Sequence, residues 1–363
     1  MQIGIIGLPK SGKTATFNAL TKGDVPVDVY ANKSNIGVAK VPDIRLDELA
    51  GLFNPRRVVS AEVNYLDIPT VAENFADSKG IPKEYLNGLQ SCDALLVVLR
   101  SFDDPSIVHL DGSIDPLRDA ENILLELIFS DVGIVSNRIQ RLTEQLKSAK
   151  TAQRDQLKKE QAIWEKIKDQ LEDNVPIREQ SFTKEEEELL VGFQLLTNKP
   201  IILAVNIDEA QIDSSESIES DFAGSFDLQG MKVVAICSRL EMELAKMDEE
   251  SEAEFREGLG AGESSLEKMI RISYELLGLI SFLTVGEDEV RAWEIKRDTV
   301  AQKAAGKIHT DIERGFIRAE VVHYSDLLSC GSIAECKKNA LLRTEGKDYV
   351  VKDGDVMNML FNV

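Results

Sequence analysis

Gly7-Leu8-Pro9-Lys10-Ser11-Gly12-Lys13-Thr14 stands directly after the strand-like run Gln2-Ile3-Gly4-Ile5-Ile6 and before a helical stretch from Ala15 to Leu20. The octet fits G-x-x-x-x-G-K-[ST]. Its glycines let the backbone curl so that successive N–H groups point inward, which makes a cradle for phosphate oxygens. The helix that follows adds the positive end of its dipole. Lys10, Ser11, Gly12, Lys13, Thr14 and Ala15 are therefore the candidate phosphate-binding residues. Lys13 is expected to bridge the β- and γ-phosphates and the Thr14 hydroxyl to ligate Mg2+. The strand–loop–helix context separates this reading from that of a plain turn.

Working outward, Ile36–Val41, Glu62–Asp67, Ala94–Leu99, Ile201–Val205 and Lys232–Ile236 read as further strands between helical stretches. Apolar strands separated by helices predict an α/β fold with a doubly wound sheet. Asp67 closes one of these strands and is the expected second Mg2+ ligand, through water. Asn206-Ile207-Asp208-Glu209 follows another. Guanine-selective P-loop proteins carry Asn-Lys-x-Asp there. Ile207 and Glu209 replace the Lys and the Asp, so Asn206, Ile207 and Glu209, with Cys237 and Ser238 after the next strand, form a candidate base-recognition set that points away from strict guanine selection.

Between about Asp131 and Lys199 the texture changes. Ile139, Leu142, Leu146 and Ala149, then Leu157, Trp164, Ile167 and Leu171, keep heptad-like spacing on either side of a polar break at Thr151–Asp155. This predicts an inserted, coiled-coil-like helical hairpin, with Trp164 in its seam. Asn174-Val175-Pro176 ends it, and Glu185–Glu188 opens a further helix. From about Leu279, the runs Phe316–Val322, Tyr349–Val351 and Val356–Phe361, with the turn Asp353-Gly354-Asp355, read as a small α+β domain. The expected limits are 1–130 with 198–278 for the nucleotide-binding domain, 131–197 for the hairpin and 279–363 for the C-terminal domain.

The 363 residues are 43% hydrophobic and 29% charged, the balance of a soluble globular chain of two or three domains. The first strand begins almost at Met1, which leaves no room for a signal peptide, and no apolar stretch is long enough to span a bilayer. A cytoplasmic location is expected. Cys92, Cys237, Cys330 and Cys336 lack metal-ligand spacing. The net charge of −21 argues against bulk affinity for nucleic acid, and no DNA partner is expected. Between Ile207 and Glu263 there are 16 acidic and 4 basic residues, a local net of −12.

Beyond these readings, the chain resembles the YchF/Obg-like ATPase family of translation-associated P-loop GTPase relatives. The likeness runs almost end to end. It rests on Gly7-Leu8-Pro9 with Gly12-Lys13-Thr14, Phe17–Lys22, Asn35-Ile36-Gly37 and Val41-Pro42-Asp43. The C-terminal part adds Arg291-Ala292-Trp293, Ala304–Asp311, Gly315–Val321 and Glu345-Gly346-Lys347-Asp348-Tyr349. The resemblance implies a C-terminal TGS domain of β-grasp type and a Mg2+-dependent hydrolase of ATP that tolerates GTP. It also implies a ribosomal partner, through large-subunit or rRNA contacts. The sequence departs from the family at the loops that meet the γ-phosphate. D-x-x-G is here Asp67-Ile68-Pro69-Thr70, and Ala31 stands where a metal-coordinating threonine is expected, whereas Val71 resembles the family in placing a hydrophobic residue where the usual catalytic glutamine would stand. Ser34 is the nearest substitute hydroxyl, and no side-chain base is assigned. Two readings follow: a slow regulatory NTPase, or a nucleotide-binding adaptor with weak hydrolysis.

Overall fold

The computed structural model describes residues 1–25, 34–68, 83–105, 112–226, 230–258 and 264–362. In chain order the elements are β1 (Gln2–Ile6), α1 (Lys13–Thr21), β2 (Asn35–Lys40), α2 (Ile44–Phe53), β3 (Arg57–Val59), β4 (Glu62–Asp67), α3 (Lys83–Ser91) and β5 (Ala94–Arg100). They continue through α4 (Pro116–Ser148), α5 (Thr151–Glu172), α6 (Lys184–Val191), β6 (Ile201–Asn206), α7 (Ser215–Ser225), β7 (Met231–Ile236), α8 (Ser238–Leu244), α9 (Glu249–Gly258) and α10 (Ser265–Leu276). The last part holds β8 (Leu279–Thr284), β9 (Glu289–Lys296), α11 (Ala301–Ile308), α12 (Thr310–Gly315), β10 (Phe316–His323), α13 (Tyr324–Cys330), α14 (Ile333–Lys338), β11 (Arg343–Glu345) and β12 (Asp355–Phe361). Two compact units result: Met1–Gly37 with Asn64–Leu266, and Val38–Val63 with Glu267–Val363.

The first unit is built on a six-stranded sheet of order β2-β4-β1-β5-β6-β7. Its pairs β1–β4, β1–β5, β5–β6 and β6–β7 are parallel. Ala94–Arg100 and Ile201–Asn206 are buried at every position, as strands covered on both faces must be. Register brings the polar strand ends together. Ile5 lies opposite Asp67, Arg100 opposite Asn206, and Asn206 opposite Ile236. The loops after β1, β4, β6 and β7 thus share the carboxyl edge of the sheet, where open α/β sheets bind ligands.

The helical insertion differs from expectation at its start and at its turn. Its first helix starts at Pro116, capped by the Asp115 side chain accepting from Arg118 N, rather than near 131. Ala120, Ile123 and Leu127 of α4 pack in the core of the sheet, whereas Val135 and Leu142 pack with Trp164, Ile167 and Leu171 of α5. One continuous helix therefore serves two cores, and no composition shift marks the crossing. The polar stretch Thr151–Asp155 begins α5 instead of breaking the hairpin, because the turn needs only Ala149 and Lys150. Trp164 is a seam residue as expected, fully buried and 4.4 Å from the Phe193 ring. A Thr183–Glu186 capping box starts α6.

Where the chain returns from the insertion, Asp131 of α4 clasps it. Its buried carboxylate accepts from Leu196 N at 2.9 Å and from both Thr197 N and Thr197 Oγ1 at 2.7 Å. Burial outweighs these bonds and pushes the carboxyl up to about 6.

The second unit is α+β, with a six-stranded sheet of order β11-β10-β12-β8-β9-β3. Most pairs are antiparallel, but β12–β8 and β3–β9 are parallel. Helix α11 places Ala301, Ala304 and Ala305 against this sheet, in a core with Phe282, Phe316 and Met357. Tyr349–Val351 is no regular strand: Val350 makes a single bridge to Val300. The Asp353-Gly354-Asp355 turn does precede the last strand, with Gly354 at φ 81. Residues Val38–Val63, expected within the nucleotide-binding part, group with this unit instead. The physical cause is β3, whose Arg57, Val58 and Val59 pair with Glu289, Val290 and Arg291. An Arg57–Glu289 ion pair at 2.7 Å accompanies that register.

Candidate functional site

The octet forms the loop its sequence predicts. Gly12 sits at φ 96, and a Cβ there would stand 2.1 Å from Asn206 Nδ2. At Gly7 a Cβ would fall 2.4 Å from the carbonyl oxygen of Val98. Neither position tolerates a side chain, for steric reasons that the loop itself imposes. Lys10 is exposed and left-handed at φ 63, whereas Ser11 is buried with its Oγ lacking any hydrogen-bond partner. An orphaned buried hydroxyl is costly, and in a loop of this shape it is a ready donor for an anionic oxygen.

Lys13, the first residue of α1, is buried and donates from Nζ to the carbonyls of Gly7 and Leu8, both at 3.0 Å. Burial lowers its ammonium to about 8, opposed by the Asp67 carboxylate. Thr14 Oγ1 donates to Asp67 Oδ2 at 3.3 Å. Burial raises the Asp67 carboxyl, against the pull of Lys13 and the hydrogen bonds from Thr14 and Asn35. Hydroxyl and carboxylate oxygens thus converge beside the phosphate loop. That donor set suits Mg2+, which takes one or two protein oxygens and keeps phosphate and water for the rest. Among the described residues no cluster of three or more His, Cys, Asp or Glu competes for a metal. Ala15 continues the first turn of α1.

On the other flank, Asn206 joins loop to base-recognition set. Its Nδ2 donates to Ser11 O at 2.9 Å, and its Oδ1 accepts from Ser238 N at 3.1 Å. Ser238 Oγ lies 2.8 Å from Thr16 Oγ1 on α1. Ile207 is buried and bonded through its N–H to Ile236 O, while Glu209 is exposed at the head of a short 3-10 turn. Cys237 is buried, and burial raises its thiol, aided by the carboxylates of Glu209, Asp208 and Glu241.

Ser34 is exposed, and its neighbour Asn35 is the residue whose side chain reaches Asp67. Thr70, Val71 and Ala31 lie outside the described residues. Sequence reasoning also passed over Phe102. Its ring edge comes within 3.8 Å of where a Gly12 Cβ would stand, and Arg100 stacks over it at 4.9 Å. Nothing in the local pattern marks Phe102; only the pairing of Arg100 with Asn206 brings it to the loop.

Comparison with known proteins shows what the chain is similar to. A family model described as "50S ribosome-binding GTPase" matches residues 2–138, and the YchF-GTPase C-terminal model, described as "Protein of unknown function", matches 279–362. A Bacillus subtilis protein named "Ribosome-binding ATPase YchF" is 38% identical over 368 residues, 99% of each chain. The chain belongs to the YchF family. Among other YchF relatives, the Oryza sativa "Obg-like ATPase 1" is 37% identical, covering 100% of this chain and 92% of that one. The solved structure of the Schizosaccharomyces pombe YchF GTPase matches with a TM-score of 0.87 at 31% identity, over 99% of this chain and 97% of that chain. The YchF C-terminal match begins at β8, and the GTPase match ends within α4, beyond the point at which that helix passes from the sheet core to the hairpin core.

Proposed function

We propose that this YchF chain is a regulatory NTPase that binds and hydrolyses ATP, accepts GTP less selectively than true GTPases do, and acts on the ribosome. The carrying observation is the convergence of Lys13, Thr14 and Asp67 at one end of the loop with the Asn206–Ser238 bridge at the other. Phosphates fit between loop N–H groups, Ser11 Oγ and Lys13, whose ammonium would turn from the loop carbonyls to the β- and γ-phosphates. Thr14 and Asp67 would hold Mg2+, which supplies neutralisation of phosphate charge when bound. No side chain among the described residues is placed as a base, so water activation falls to positioning and electrostatics.

Base choice rests on Ile207 and Glu209. An apolar, buried Ile207 gives no cation to a guanine carbonyl, and the longer Glu209 does not hold its carboxylate where an Asp would. ATP is therefore expected to bind at least as well as GTP. The names carried by the relatives support a ribosomal partner. We propose contacts with the large subunit and its rRNA, and with that partner a cytoplasmic location. No helix among the described residues is long and apolar enough to cross a membrane. The hairpin of α4 and α5 and the C-terminal unit are the proposed partner-binding parts.

Single-turnover hydrolysis of ATP and GTP, with and without ribosomes, tests the proposal. Turnover no faster than that of Lys13→Ala would reduce the chain to a nucleotide-binding adaptor. Cosedimentation with ribosomes is expected to fall steeply from about 50 to 300 mM salt if phosphate contacts carry it.

A further inference from the structure

Helix α8 is seven residues long, and no side chain caps its start. Its first residues are nevertheless held in place. Ser238 N is tied to Asn206 and Ser238 Oγ to Thr16, while Leu240 and Leu244 sit in the core of the sheet. A further tie comes from α9. Glu241, buried on α8, accepts from Arg256 Nη1 at 3.3 Å and Nη2 at 2.6 Å. The same guanidinium donates to Glu252 at 2.9 Å and to Ser264 Oγ at 3.1 Å, and its side chain is only 13% exposed. Arg256 is one of 4 basic residues against 16 acidic ones between Ile207 and Glu263. In so acidic a segment, a cation largely withdrawn from solvent opposite a buried carboxylate one helical turn from Ser238 calls for a physical reason.

We infer that Arg256 is a positioning residue for nucleotide-base recognition, acting through Glu241 to fix α8 and with it Cys237 and Ser238. The inference rests on the nucleotide-binding reading above and extends it to a residue outside every motif. Removing the guanidinium strands a buried carboxylate, and that state is unfavourable enough to drive local rearrangement. The least costly relief is for the first turn of α8 to shift until Glu241 meets water. Such a shift moves Ser238 away from Asn206 but leaves Gly7–Thr14 in place. The phosphate half of the site should therefore be unaffected while the base half is loosened.

Titration of the full-length protein with Mg·ATP and with inorganic tripolyphosphate, a ligand without a base, separates the two halves. Arg256→Met is expected to weaken ATP binding roughly tenfold, a usual size for coupling between linked sites, with tripolyphosphate affinity unchanged. Glu241→Gln added to Arg256→Met, which removes the stranded charge, is expected to recover most of the loss. Should Arg256→Met not fold, Arg256→Lys takes its place. It keeps the charge without the two-pronged fork and should show a smaller loss of the same pattern. Equal weakening of both ligands, or of neither, would overturn the inference. Wild-type protein that binds tripolyphosphate but not ATP would instead defeat the nucleotide reading, and this inference with it.

Discussion

At the carboxyl edge of the first sheet, Lys13, Asp67 and Ser11 are buried with their polar atoms held by loop carbonyls, by Thr14 and Asn35, or by nothing. In the mixed sheet of the second unit, Asp355 is just as buried, but its Oδ2 accepts from Tyr349 OH at 2.7 Å and Lys352 N at 2.9 Å, and its Oδ1, though without a hydrogen bond, is ion-paired with the Arg343 guanidinium at 3.6 Å. Arg45 there bonds Asp43 at 2.7 Å and Asp353 at 2.8 Å, and Tyr274 bonds Ser281 at 2.8 Å. The contrast separates two uses of buried polarity. Groups paired with opposite partners within the fold hold it together, whereas an ammonium held only by loop carbonyls and a hydroxyl without a partner are available to a ligand.

Substitutions can break this comparison. The largest effect is expected for Lys13→Ala, with kcat/KM for ATP down by about 10³ and cooperative unfolding retained, as seen by steady-state kinetics and denaturant titration. Asp67→Asn should cost about 10² and flatten the dependence of rate on Mg2+ concentration. In the other unit, Asp355→Ala should do the reverse. It should lower unfolding free energy by about 3 kcal/mol while nucleotide Kd stays unchanged. A shift in Kd without loss of stability would erase the distinction.

Asp131 tests the middle ground. Its carboxylate faces only donors, so Asp131→Asn turns an NH2 towards them and should cost about 2 kcal/mol, read as faster hydrogen exchange at Leu196 and Thr197. The gentlest probe is pH. The Lys13 ammonium in the free protein loses its proton as pH rises through about 8, and the neutral amine no longer attracts phosphate. A falling limb in kcat/KM near that value is expected, displaced upward in Lys13→Arg.

Much of the first unit was legible because its signals are local. Gly7–Thr14, the strand ending in Asp67 and the strand ending in Asn206 are each contiguous, and parallel strands of α/β sheets announce themselves as unbroken apolar runs. The second unit was harder to read. Strand β3 is three residues long and half-exposed, and its partner β9 starts more than two hundred residues later, so no window of sequence contains the pair. The crossing within α4 was hidden for a related reason. Helical periodicity continues unchanged while the surface it packs against is exchanged. Phe102 carries no motif and Asn35 was read only as part of a family match, and the tertiary structure alone brings them to Gly12 and Asp67.

By itself the sequence determined that a phosphate-loop motif follows the first strand, that Asp67 and Asn206 close two others, and that Ile207 and Glu209 depart from the guanine-selective pattern. These properties reside in residue type at short spacing, where backbone freedom and side-chain reach decide the chemistry. Only the tertiary structure decided which buried polar groups are free for a ligand, which unit claims Val38–Val63, and that Arg256 stands behind the helix of Ser238. Those outcomes depend on pairing between distant segments, whose energy is collected only once the chain has closed on itself.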